Sequence, residues 1–523
     1  MVFACLFLSL AACKKNFESI NTPPEGATDN PTPSVYNAIV SSLPIGGGEY
    51  SVLNSWIYPI TQQAIVTAGA YNYDNAKSDV WKNYYYTLAN YRLLQARIHE
   101  TTDTTTMNNL YGMLRTIMAY KTFKTTNYYG DMPYSKAGYT PYTKDPTTYK
   151  PVYDKQSDIY AAILGDLKWA VDNFSTAANQ YSVGSYETFL NNDITMWTKF
   201  ANSLRLYVAV TMYDKNNSLA ATHITEALGK PLLADGDDIG LWPAKIPGLQ
   251  FQWRSWGFSS NCYLRFGSTM WDLMSSNNNK DGSGIYDVRA TVFYEKNNAG
   301  QWAAYPQNPT SSTPSEGGGP YNPIRTTKWD SLGVACIYSP VNYYFEQDLT
   351  SIPELMLTAA QVHFLKAEVY NRGIGAGANA ATAQSEYNAG IAASLNMWKS
   401  IAHNSSVWLV NKPTATATTA EINAVTMNAK NLYDVANPAH ALSQIYAQLW
   451  IDQYRQPWDA WTLRRRTGGL TPTSTSNVTY YNSIYGGYQR FVYPDDEVSY
   501  NYDNWKTVTN GNDVNTTKLW IAK

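Results

Sequence analysis

Cys13 is the nucleophile whose surroundings in this sequence say most. It closes an apolar run in LFLSLAACKKNF (residues 6–17), directly behind Leu10, Ala11 and Ala12. A thiol preceded by small residues has the form of a bacterial lipobox. There the sulfur takes a diacylglycerol, the small side chains let a peptidase close on the chain, and the bond before the cysteine is cut. The apolar run is too short for a membrane span, which needs roughly 20 residues. It fits a signal-peptide core, which spans about 7–15. Residues 1–12 are therefore expected to be a signal peptide and Cys13 the lipidation site, although the usual positively charged start is missing. Several acyl chains on one residue anchor a protein durably, where one binds only marginally.

Other reactive side chains form no comparable pattern. The five histidines (99, 223, 363, 403, 440) are scattered, and no HExxH occurs. In NNNKDGSGIYDV, residues Asn277, Asn279, Asp281 and Gly282 fall where a calcium loop has its first ligands. Val288 stands where that loop requires a bidentate Glu, so the stretch reads as a turn. DGDD (235–238) reads as a solvated turn. Cys262 and Cys336, 74 positions apart, suit one disulfide or two buried thiols; without a CxxC they suggest no zinc or redox site. Arg464, Arg465 and Arg466 sit at a helix end, where the dipole favours cations. Lys plus Arg number 39 and Asp plus Glu 41, so no overall charge pulls the chain toward nucleic acid. No metal and no cofactor are expected. A glycosidase carboxylate pair is not recognisable from spacing, so a secreted glycoside hydrolase remains open at this level.

The aromatic content points further. The chain has 43 Tyr and 17 Trp against 14 Phe. Tyr and Trp join a flat apolar face to a hydrogen-bonding edge, which suits sugar rings. At ~25 cal/mol per Å2, one stacking platform is worth about 1–2 kcal/mol. Candidate ligand-contacting residues are Tyr71 and Tyr73 in GAYNYDNA, with Trp253, Trp256, Tyr263, Trp302, Tyr305 and Tyr321 further along.

Those rings need a frame. Residues 13–34, rich in proline, read as a lipidated tether. Apolar residues at steps of three and four predict helices over Ser78–Glu100, Met107–Thr125, Gln156–Phe174, Asp193–Tyr213, Glu354–Asn371, Thr382–Lys399 and Pro438–Trp461. YAAILGDLKWAVDNF has the small and large residues of a tetratricopeptide helix, a unit of about 34 residues. The units here are unevenly spaced. The expected fold is mainly α: an irregular tetratricopeptide-like helical-repeat scaffold with long aromatic-rich insertions. Residues 35–523 are expected to form one domain, with helical scaffold at about 78–214 and 350–461. A binding insertion without helical period covers about 215–349, and a second irregular stretch covers roughly 401–434.

Ordered motifs along this frame resemble the SusD/RagB family of outer-membrane nutrient-binding lipoproteins, and most closely its SusD-like 2 branch. They are NFESINTPP, TNYYGDMPYSKA, WTKFANSLRLYVAV, FLKAEVYNRG, YAQLWIDQYRQPWDAWTLRRRTGG and QRFVYPDDEVSYNYDNW. Two departures are Trp458-Asp459, at the family's acidic position, and Thr126-Asn127 before the Gly-Asp-Pro-Tyr motif. The resemblance implies a lipid-anchored protein on the outer face of the outer membrane, with no catalytic residues. It implies a SusC/RagA-like TonB-dependent transporter as partner and a glycan, or alternatively a peptide, as cargo. It also implies that the ligand surface combines the loop before the Trp81 helix with the central insertion.

Overall fold

The computed structural model describes residues 30–67, 72–140, 143, 145–246, 264–307, 309–316, 336–348, 350–408, 411–468 and 484–523. Ten helices carry the frame: α1 Thr32–Ser41, α2 Lys77–Glu100, α3 Asn108–Tyr129, α4 Gln156–Asn173, α5 Ile194–Met212, α6 Asn217–Leu228, α7 Ala359–Arg372, α8 Ala380–Asn404, α9 Pro438–Asp452 and α10 Pro457–Thr467. Sequential helices pack on one another as α3 on α4, α4 on α5, α5 on α6 and α7 on α8. This is the mainly helical, repeat-like architecture that the sequence predicts. None of the described helices is long and apolar enough to cross a membrane.

Local chemistry sets the helix ends. Asp193 caps α5 by accepting the Met196 amide at 3.0 Å. Thr358 and Gln361 form a reciprocal capping box at the start of α7. That box explains why the helix does not begin at Glu354. Glu354–Leu357 is instead a strand, paired antiparallel with Ile239–Leu241. The expected helix over Pro438–Trp461 is likewise two, α9 and α10, joined by a short 3-10 turn at Gln453–Arg455. Pro457 lacks an amide hydrogen and its ring crowds the carbonyl four residues back, so one helix stops and the next starts there. α6 lies inside the stretch expected to lack helical period. Its buried face is Ala220, His223, Ile224 and Ala227, small or polar residues that leave little periodic signal.

Two groups of apolar residues fill the interior. One gathers α1 to α6 with Trp458 and Trp461 of α10 and the tail residues Phe491, Tyr493, Leu519 and Ile521. The other gathers the central insertion with α8 and α9. α7 faces both, through Val362, Leu365 and Val369 on one side and Phe364 and Ala367 on the other. α10 does the same with Ala460 and Leu463 on its second face.

The arginine run belongs to this frame. Arg466 grips Glu368 of α7 with two hydrogen bonds, at 3.0 and 2.7 Å. Glu368 also accepts from Arg372 and from the Tyr446 hydroxyl of α9, each at 2.7 Å. Arg465 donates to the Gln489 carbonyl and lies over the Trp461 ring. The DGDD turn is tied down as well. Asp237 pairs with Lys199, and Asp238 accepts the first amide of α7. The C-terminal segment straps the front of the frame. Phe491 N donates to Tyr128 O, the Tyr493 hydroxyl to Asp131 O, Ile521 N to Gln156 Oε1 and Lys523 N to Arg465 O.

Candidate ligand-binding site

The central insertion is fixed to the frame before it presents any surface. Arg289, fully buried, pairs with Asp287 and donates to Ser394 of α8 and Gln448 of α9. The Tyr294 hydroxyl donates to Gln63 O, and the strand Ile65–Val66 pairs with Leu264–Arg265. Stacked rings stiffen the join: Phe266 on Tyr294 and Phe293 on Tyr454, each with centroids 4.1 Å apart. Lys430, from the second irregular stretch, donates to the carbonyls of Asp272 and Ser275.

On this base lies the helix Ser268–Met274, followed by the turn at 277–284. The turn closes on itself. Asn277 accepts the Asn279 amide and Asp281 accepts the Ser283 amide. Its would-be calcium ligands are thus engaged locally, and no metal-holding group of His, Cys, Asp or Glu occurs among the described residues. Gly282 has φ +85°, and a Cβ there would come within 2.6 Å of the Trp302 indole. The turn therefore needs glycine both for its backbone and for the close approach of that ring.

Two adjoining clefts open beside the turn. The larger, about 820 Å3, is lined by Lys280, Gln301, Ala303, Pro306, Ile337 and Tyr338, among others. The smaller, about 470 Å3, is lined by Trp271, Asp272, Asn278, Trp302 and Gln307. Lys280, Ala303, Ala304 and Pro306 belong to both walls, so the clefts meet there. Backbone bonds hold the shared wall: Trp302 N donates to Lys280 O, and Ser339 N to Ala303 O. The Tyr338 hydroxyl donates to Pro314 O. Burial pushes the Cys336 thiol up to about 12, and its Sγ lies 3.0 Å from Tyr338 O. The smaller cleft carries a carboxyl, Asp272, which burial raises while nearby Lys430 lowers it.

Of the ligand contacts expected from sequence, the structure brings one, Trp302, to the lining of these clefts and sets a second, Tyr305, against a lining residue. Trp302 lines the smaller one, but it is 7% exposed, so it offers an edge between Phe266 and Trp271. Tyr305 lines neither cleft; its ring packs 4.6 Å from that of Tyr338, which lines the larger one. Tyr73 requires a correction. It is 5% exposed, donates its hydroxyl to Arg490 O and is packed among Trp56, Tyr488 and Phe491. Its ring is part of the interior beneath the C-terminal strap. Tyr71, Trp253, Trp256, Tyr263 and Tyr321, with the lipidation site Cys13 and Cys262, lie outside the described residues. Cys336 carries a free thiol. Sequence reading missed Trp271, Tyr338 and Lys280. Trp271 looks like an ordinary helix residue, and Lys280 sits in a turn weighed only as a cation loop.

A family model described as starch-binding and associating with the outer membrane matches residues 50–494. The chain belongs to the SusD-like 2 family. Solved structures share its fold. A chitin-binding protein superposes with a TM-score of 0.69 at 21% identity, covering 94% of this chain and 100% of its own. A SusD homologue from Bacteroides fragilis gives 0.67 at 18% identity, with 94% and 100% covered. A chitin-binding SusD homologue from Flavobacterium johnsoniae gives 0.61 at 18%, with 94% and 98% covered. No curated protein sequence matches the chain significantly. SusD-like proteins are an outer-membrane-associated, nutrient-binding family, and the ordered motifs that suggest it fall largely within the matched span.

Proposed function

We propose that this protein is a surface-exposed, lipid-anchored capture protein for oligosaccharides and that it hands them, uncleaved, to a SusC-like TonB-dependent transporter. The observation that carries the reading is the pair of joined clefts on a rigidly pinned insertion, where indole and phenol edges stand beside exposed amides. The chitin-binding descriptions of two structural relatives support glycan over other cargo. Ring edges this buried add at most about 0.5 kcal/mol each, so hydrogen bonds to the exposed amides supply most of the micromolar-to-millimolar affinity suited to capture and release.

The test uses the whole mature protein. Calorimetry against a panel of oligosaccharides should show binding that weakens at least about twofold in Trp302→Ala or Tyr338→Ala, with thermal melts confirming that each variant folds. Reducing-end assays on the same mixtures should stay flat. Absence of binding across the panel, or the appearance of new reducing ends, would overturn the proposal. Mass spectrometry of the native protein should find a lipid on Cys13, and affinity purification from membranes should recover the transporter.

A further inference from the structure

Lys280 stands where the two clefts meet and lines both. Its backbone is fixed by the bond from Trp302 N to Lys280 O, so the position of the side chain's base is defined by the cleft itself. It is exposed, and among the described residues its ammonium group has no ion-pair partner. It is also the one charged side chain among the described residues lining the larger cleft. The remaining polar groups there are mostly spent or neutral. Asn297 already donates to Ile337 O and accepts the amides of Ala299 and Gln301, and the Asn298 and Gln301 side chains beside it are neutral. Among the described residues, the one carboxylate in the lining of either cleft, Asp272, belongs to the smaller.

A neutral sugar has no need of a fixed cation. A lysine is a compact point charge with three donors, well suited to an oxyanion and indifferent to its exact shape. From an ammonium group without an ion-pair partner among the described residues, in the lining of a cleft whose other described residues are neutral and largely apolar, we infer that the preferred cargo is an acidic glycan, with its carboxylate or sulfate group seated at Lys280. This rests on the proposed function, because it assigns a ligand class to the same clefts. The anionic residue occupies the larger cleft, and neutral sugar rings extend past Trp302 toward Asp272.

The experiment compares matched ligands at low salt. An oligouronate is set against its methyl ester, and a sulfated oligosaccharide against its desulfated form. The wild-type protein should bind at least one charged form about three- to tenfold more tightly than its neutral twin, the range of a charge-assisted hydrogen bond at a partly exposed site. That ratio should shrink as sodium chloride is raised. In Lys280→Gln it should fall to about one, and Lys280→Arg should restore it. Discrimination in the sulfated pair alone would identify a sulfate ester as the group recognised. Equal affinity within both pairs, or a ratio that survives Lys280→Gln, would overturn the inference. If neutral oligosaccharides bind in that case, the capture function stands and only the ligand class is wrong; if nothing binds, both fail.

Discussion

Replacing Glu368 with alanine tests the clamp that joins α7, α9 and α10. The carboxylate is fully buried and accepts from Arg466, Arg372 and Tyr446. Burial pushes its pKa up, but the two guanidinium groups and the Tyr446 hydroxyl outweigh that and hold it below the ordinary carboxylate value. Removing the carboxylate leaves Arg466, 5% exposed, without its counter-charge. Breaking one side of a buried pair costs about 3–5 kcal/mol. Unfolding entropy of ~2.1 cal/mol/K per residue gives roughly 1 kcal/mol/K for this chain, so the midpoint should fall about 3–5 °C. Differential scanning calorimetry at neutral pH reads this directly. The double variant Glu368→Leu with Arg466→Met removes both charges and should recover most of the loss. Because the folded pKa is lowered, the stabilisation is complete above the unfolded value of ~4.3 and disappears as pH falls through the folded one. The gap between wild type and variant should therefore narrow in acid. A Glu368→Ala midpoint within about 1 °C of wild type, or a double variant no better than the single, would refute the reasoning.

Three further outcomes follow from the same physics. His223 accepts a hydrogen bond from Arg205 Nε at 2.7 Å, and burial together with that cation lowers its pKa to about 4. The unfolded chain takes up the proton first, so stability should drop by about 2 kcal/mol between about pH 6.5 and pH 4; His223→Gln should flatten that part of a midpoint-versus-pH series. Gly282→Ala should destabilise by about 1–2 kcal/mol through left-handed strain, and calorimetry should show weaker glycan binding as the Trp302 ring is displaced. Cys336, with its thiol pushed up to about 12 by burial, should resist a thiol reagent until the protein is denatured.

The helical frame was legible because its apolar residues repeat every three or four positions over long stretches. Where the reading slipped, tertiary chemistry had overridden the period. Glu354–Leu357 found a strand partner more than a hundred residues away, and Pro457 split one expected helix into two. α6 hid because its buried face is built from alanines, one histidine and one isoleucine. The candidate site was harder to see. Trp302 could be suspected from its type, yet nothing in the sequence separates it from Tyr73, whose aromatic-rich surroundings look similar. What separates them is the C-terminal strap, which covers Tyr73 and leaves Trp302 at a cleft edge. Lys280 becomes meaningful only once two clefts are seen to meet at it.

The strap also orders events in time. Lys523 N bonds Arg465 O and Ile521 N bonds Gln156, so residues synthesised long after α1 to α6 complete the hydrophobic interior around them. Until those residues emerge, the interior built by α1 to α6 stays unsealed. Deleting residues 519–523 should therefore be damaging out of proportion to their number, because Leu519, Ile521 and Ala522 are buried.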